Sequence, residues 1–131
     1  MKKHEVEIII DKADAAIMDE DFDTLMDIYD DEAVLVIRPD HYAKGKTAIR
    51  QAFENIAIYF KNSLKIKQNG MKVLEAGDIA LVLANTLVSA KDFDEIGRKA
   101  TYVFKKNEKN GWLCVIDNSY GHELIENKDV G

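Results

Sequence analysis

Arg38, Asp40 and His41 stand together just after an apolar run, and their types could do acid–base work. An imidazole titrates near neutrality and a neighbouring carboxylate can orient it, so His41 with Asp40 reads as a candidate proton-transfer pair. A solvated loop whose charges do no chemistry accounts for the same residues. Tyr102, Asn118 and Asn85 are polar groups set inside apolar runs, each able to hydrogen-bond a bound molecule. For these the competing reading is a satisfied hydrogen bond between neighbouring strands.

Other motifs fail on their chemistry. Gly45-Lys46-Thr47 echoes the end of a phosphate loop, but Asp40 stands where the leading Gly is needed. Asp19-Glu20-Asp21-Phe22-Asp23 mimics the opening of a calcium loop, yet Thr24 occupies the turn position that requires Gly. His4, His41 and His122 lack zinc-ligand spacing, so no metal site is expected. Cys114, the only cysteine, reads as a small buried hydrophobe, and no cofactor fingerprint is present.

The elements that must position these residues follow from periodicity. Val6, Ile9, Ile10, Ala13, Ala16 and Ile17 recur at helical spacing, with Glu7, Asp11 and Asp14 on another face, predicting a helix over 3–19. Asp21 is placed to cap a short second helix through Phe22, Leu25, Met26 and Tyr29. Ala33–Ile37 is a β-branched run that reads as a buried strand stopped by Pro39, followed by a polar loop over Asp40–Gly45. Ile49, Ala52, Phe53, Ile56 and Phe60 mark a third helix. From residue 63 the period changes to two. Strands are expected over 64–76, 79–89, 99–106 and 112–119, with turns at Gly77-Asp78, Asp92–Gly97 and Asn107–Gly111. Helices gathered early and strands gathered late indicate an α+β domain with helices on one face of a curved antiparallel sheet.

Composition bounds the partners. The 131 residues fit one domain, 1–131, with 121–131 a polar tail. With 18 Lys+Arg against 24 Asp+Glu the net charge is −6, which argues against nucleic acid. No apolar run reaches the roughly 18 residues of a membrane span. The opening Met-Lys-Lys-His-Glu-Val-Glu places acids where an export signal needs an apolar core, so a cytoplasmic location is expected.

Three passages carry a family likeness: Asp23-Thr-Leu-Met-Asp-Ile-Tyr-Asp-Asp-Glu-Ala-Val-Leu-Val, Gly45-Lys-Thr-Ala-Ile-Arg-Gln-Ala-Phe, and Gly111-Trp-Leu-Cys-Val-Ile-Asp-Asn-Ser. In this order, over residues 3 to 120, the chain resembles the SnoaL-like, ketosteroid-isomerase-like branch of the nuclear transport factor 2-like superfamily. The resemblance implies a cystatin-like cone, three helices packed on a curved sheet, with a small-molecule pocket at its mouth. It also implies a homodimer paired through the outer sheet face. It implies no single activity, because the superfamily holds isomerases, cyclases, dehydratases, hydrolases and non-catalytic modules.

The isomerases of that branch use an Asp base with a Tyr and a protonated Asp as oxyanion donors. Matched without gaps, those positions fall at Ile37, Ala13 and Ala100, and neither Ile nor Ala can move a proton. Asp40 or His41 would serve as base only if the match is displaced. By analogy with the family, the last strand turns its Trp112 face inward, which carries Asn118 into the cone. Asp117 then falls on the other face, at a dimer surface or a turn. Tyr102 and Phe104 share the inward face of the preceding strand, and Ile37, Asn85 and Trp112 complete the expected pocket. Two functions stand open. One is a cofactor-free enzyme acting on an apolar carbonyl compound; the other is a non-catalytic dimeric binding or assembly module.

Overall fold

A computed structural model describes residues 3–109 and 111–125. The expected helices form at Glu5–Asp19 (α1), Phe22–Met26 (α2) and Lys46–Tyr59 (α3). His4 caps α1 through its ring Nδ1, which accepts from the Val6 N–H at 3.1 Å, while Glu7 accepts from the His4 N–H at 3.0 Å. The helix ends at Glu20 in the left-handed region, φ 57°. Asp21 caps α2 by accepting from the Thr24 N–H at 3.2 Å.

Among the described residues there are six strands: Tyr29–Arg38 (β1), His41–Lys44 (β2), Lys65–Ala76 (β3), Ile79–Ala90 (β4), Phe93–Asn107 (β5) and Gly111–Asn118 (β6). They form one sheet in the order β2-β1-β6-β5-β4-β3. The meander β3 to β6 is antiparallel as expected, but β1 runs parallel to β6, so the sheet is mixed.

Three further expectations are corrected. Tyr29 does not continue the second helix, which ends at Met26; it opens β1, where pairing with Cys114 of β6 claims it. The Asp40–Gly45 segment is not wholly loop: after a turn at Pro39–Asp40 it pairs as edge strand β2, its polarity that of an edge in which only Ala43 is buried. The turn expected at Asp92–Gly97 is confined to Lys91–Asp92, and β5 begins at Phe93. The start of that strand is solvated on both faces, so its residues do not alternate.

α1, α2 and α3 lie against the concave side of the sheet. Val6, Ile10, Leu25, Ile49 and Phe53 meet Val82, Phe104, Trp112 and Cys114 in the core. The long β3–β4 ribbon bends at a bulge between Gln68 and Met71, where Gly70 adopts φ 110°. A second bulge, opposite Val103–Phe104, inserts an extra residue into β6 between Cys114 and Ile116. Because side chains alternate with a period of two, one inserted residue exchanges the faces beyond it. Trp112 and Cys114 point inward before the bulge, and Asp117 points inward after it. The polar tail begins with a short 3-10 helix at Gly121–Leu124, and residues 126–131 lie outside the described residues. Among the described residues, no helix is long and apolar enough to cross a membrane.

Candidate functional site

The helices do not fill the cone. A cavity of about 640 Å³ remains between α1, α3 and the sheet, large enough for a drug-sized molecule. Its walls are mostly apolar: Ile10, Ile17, Leu35, Phe53, Ile56 and Phe104 are among them. Into this apolar space project two carboxyl groups, Asp14 from α1 and Asp117 from β6.

Asp14 is four residues beyond Ile10 and three before Ile17, on the edge of the stripe that α1 buries. It also lies near the Glu7 and Asp11 face, which is why its sequence position suggested solvent. Thr86 Oγ1 donates to Gln68 Oε1 at 3.1 Å, and Gln68 Nε2 donates to Asp14 Oδ2 at 2.8 Å. The relay of neighbouring strands thus fixes the carboxyl from one side. Burial pushes the Asp14 pKa up from its ordinary 3.8 to about 7, against the opposing pull of the Gln68 hydrogen bond and with a contribution from the Asp117 charge.

Asp117 belongs to one rung across the cavity floor: it pairs with Leu35 on β1 and with Tyr102 on β5, and Tyr102 pairs with Val82 on β4. The Tyr29 hydroxyl donates to Asp117 Oδ2 at 2.6 Å. Burial raises the Asp117 pKa and this hydrogen bond draws it back. Burial likewise raises both tyrosine hydroxyls, with the Asp117 charge adding to each, so they are protonated donors at neutral pH. Burial also raises the Cys114 thiol, which leaves it inert as a nucleophile.

Tyr29→Phe is expected to cost about 2 kcal/mol, since a buried acceptor loses its donor. The same substitution raises the Asp117 pKa further. Denaturant melts and a carboxyl titration by NMR check both effects, and an unchanged Asp117 titration would show that the pair is not coupled.

Of the residues expected at the pocket, Tyr102, Phe104, Ile37 and His41 line the cavity. Three others do not. Asn85 is exposed on the outer face of β4. Trp112 is 4% exposed in the core, its ring beside that of His4 at 5.9 Å between centroids. Asn118, displaced by the β6 bulge, closes a turn instead: its Oδ1 accepts from the Tyr120 and Gly121 N–H groups at 3.0 Å each. Asp40 is turned to solvent with Arg38 Nε at 3.4 Å, so it does not orient His41 toward the cavity. The positions matched to the isomerase base and tyrosine, Ile37 and Ala13, do line the hollow. Acid groups stand beside that pattern, at Asp14 and Asp117, and not in it. Among the described residues, no group of His, Cys, Asp and Glu is placed to hold a metal ion.

A helix-capped cone with an apolar hollow and inward acids defines a class of small pocket proteins built on one scaffold. The model of the SnoaL-like domain matches residues 6–116, and the chain belongs to that family. Solved structures share the fold. A nuclear transport factor 2-like protein of unknown function from Pseudomonas putida is 20% identical, with a TM-score of 0.75 over 86% of this chain and 81% of that one. A protein described as a candidate dehydratase from Streptomyces avermitilis is 19% identical, with a TM-score of 0.68 over 86% of this chain and 90% of that one. A candidate ketosteroid isomerase from Shewanella frigidimarina is 12% identical, with a TM-score of 0.72 over 83% of this chain and 89% of that one. A comparison with curated protein sequences returned no match.

Proposed function

We propose that this protein is an enzyme that moves a proton on an apolar carbonyl compound, in an isomerisation or a dehydration. The observation that supports this reading is the clamped Asp14 carboxyl facing an open apolar hollow that Tyr102 also lines. In the ionised form, Asp14 takes a proton from the carbon next to the carbonyl. The C–H pair becomes a carbon–carbon double bond, and the carbonyl π pair moves to oxygen, where the Tyr102 hydroxyl donates to it. In a β,γ-unsaturated compound, return of the proton from Asp14 to the γ-carbon re-forms the carbonyl and completes an isomerisation. In a β-hydroxy compound, the oxygen pair re-forms the carbonyl while the β-hydroxyl leaves, taking the proton from Asp14 as water. The test needs no known substrate. In deuterium oxide, the protein should exchange the α-protons of some members of a panel of apolar ketones, at a rate that rises with pH through about 7. A panel with no exchange above the buffer rate contradicts the reading and favours a non-catalytic binding module.

The same proposal includes a homodimer through the outer sheet face. Leu74, Leu81, Val103, Ile116 and Val34 are successive cross-strand partners on that face. Leu74 is 51% exposed and Ile116 42%, with Leu83 beside them at 46%. An apolar band of this extent is the kind that association covers. Light scattering at micromolar concentration should give twice the chain mass, and Leu83→Lys should give the single mass. A wild-type protein of single mass rejects the dimer.

A further inference from the structure

Arg98 occupies the inward face of β5, in step with Ala100, Tyr102 and Phe104. It pairs with Thr86 on β4, which pairs with Gln68 on β3, so its rung is the one that clamps Asp14. Along β5 it stands about 14 Å from Tyr102, four residues at the usual strand rise. A guanidinium on an apolar inner face needs something to hold it. Here its guanidinium carbon sits over the Tyr120 ring, 4.1 Å from the centroid, with its side chain 22% exposed. Its ion pair with Glu123 is loose, at 4.0 Å to a carboxylate that is itself 63% exposed.

This contact is built into the fold. Asn118 Nδ2 donates to the Gly121 carbonyl at 3.1 Å while its Oδ1 holds the two N–H groups of the same turn. Gly121 has φ 57°, and a Cβ there would collide with the Lys99 carbonyl oxygen. The turn that carries Tyr120 is therefore pressed against β5 beside Arg98, which gives Asn118 its structural role. Arg38 and His41 line the cavity too, with Arg38 mostly solvated. The largely apolar hollow thus carries guanidinium groups at Arg98 and Arg38 and carboxyl groups at Asp14 and Asp117. This cationic character is local, because the whole chain carries a net charge of −6.

Resting on the reading of the hollow as a carbonyl-handling site, we propose that its substrate is an amphipathic acid, an apolar body ending in a carboxylate that Arg98 holds. The planar fork of a guanidinium held over an aromatic ring presents donors in the geometry a carboxylate accepts. The apolar walls take the body, and the reacting carbonyl lies toward Asp14 and Tyr102. An anionic end group therefore selects the substrate and sets its orientation.

The probes are decanoate and decan-1-ol, equal in length and different in charge, with binding measured by calorimetry. Wild-type protein should bind decanoate at least about tenfold more tightly than the alcohol, as expected for a charge-assisted pair. Arg98→Gln should abolish that preference and leave alcohol binding unchanged; Arg98→Lys, which keeps the charge, should retain part of it. Added salt should weaken decanoate binding alone. Equal binding of the two probes by wild-type protein overturns the proposal, as does an equal loss of both in a folded Arg98→Gln protein. Should the Gln variant not fold, the Lys variant and the salt series decide. Asp14→Asn should keep the decanoate preference. A preference that holds while ketone exchange is absent rejects only the proton-transfer reading, and the reverse rejects only the carboxylate site.

Discussion

Asp14→Asn should make the protein more stable near about pH 8 while removing ketone α-proton exchange. The folded protein holds the Asp14 proton to about pH 7, whereas the open chain releases it near the ordinary 3.8. Between those values the unfolded state is ionised and the folded state is not, so this group's contribution to stability falls as pH rises. Above about 7 the full penalty is present, up to about 4 kcal/mol; below about 4 there is none. Asparagine keeps the oxygen that accepts from Gln68 and cannot ionise. The variant should therefore gain about 2–4 kcal/mol at about pH 8 and little at about pH 4, read from denaturant melts at both. Exchange should fall at least about a hundredfold, the usual worth of a positioned general base. A variant less stable than wild type at both pH values would show that Asp14 serves packing alone. A carboxyl kept in an apolar hollow at a cost in stability is the expected signature of a working group.

Trp112→Ala should cost about 4 kcal/mol, the range for emptying a core indole site. The ring is 4% exposed, has the helix-capping His4 on one side, and carries the Lys106 ammonium at 5.6 Å from its centroid. The loss should appear in the melting midpoint, with ligand affinity little changed in the folded fraction. Unchanged stability with lost binding would return Trp112 to the pocket, where its face on β6 first suggested it lay.

The contrast between Trp112 and Asp117 shows how far the sequence reaches. Helices over Val6–Ile17 and Ile49–Phe60 and the alternating runs of β3, β4 and β6 are written in their own spacing, because burial on one face imposes a period. The inward residues of β5 followed from the same rule, and Tyr102 and Phe104 stand where alternation puts them. Beyond Cys114 the rule fails, since a one-residue bulge set by pairing with β5 leaves no local mark and exchanges Asn118 for Asp117. Asp14 was hidden for a different reason. It lies between two stripes of α1, and only the hollow beneath the helix decides which it joins. Nor does local spacing show that β1 lies parallel to β6, a pairing between segments some eighty residues apart. Arg98 was invisible because the strand around it has no alternation; the signal was a cation in step with Ala100 and Tyr102, legible once β5 was extended to Phe93.

The carboxyl carbon of Asp14, labelled with carbon-13 and followed by NMR through a pH titration, reports on the hollow itself. A midpoint near about 7, moving downward when Ile10→Ser or Ile17→Ser admits water, would place a poised proton-transfer group inside an apolar cavity. A midpoint near 3.8, indifferent to both substitutions, would mean a solvated carboxylate and an interior with no chemistry of the kind described.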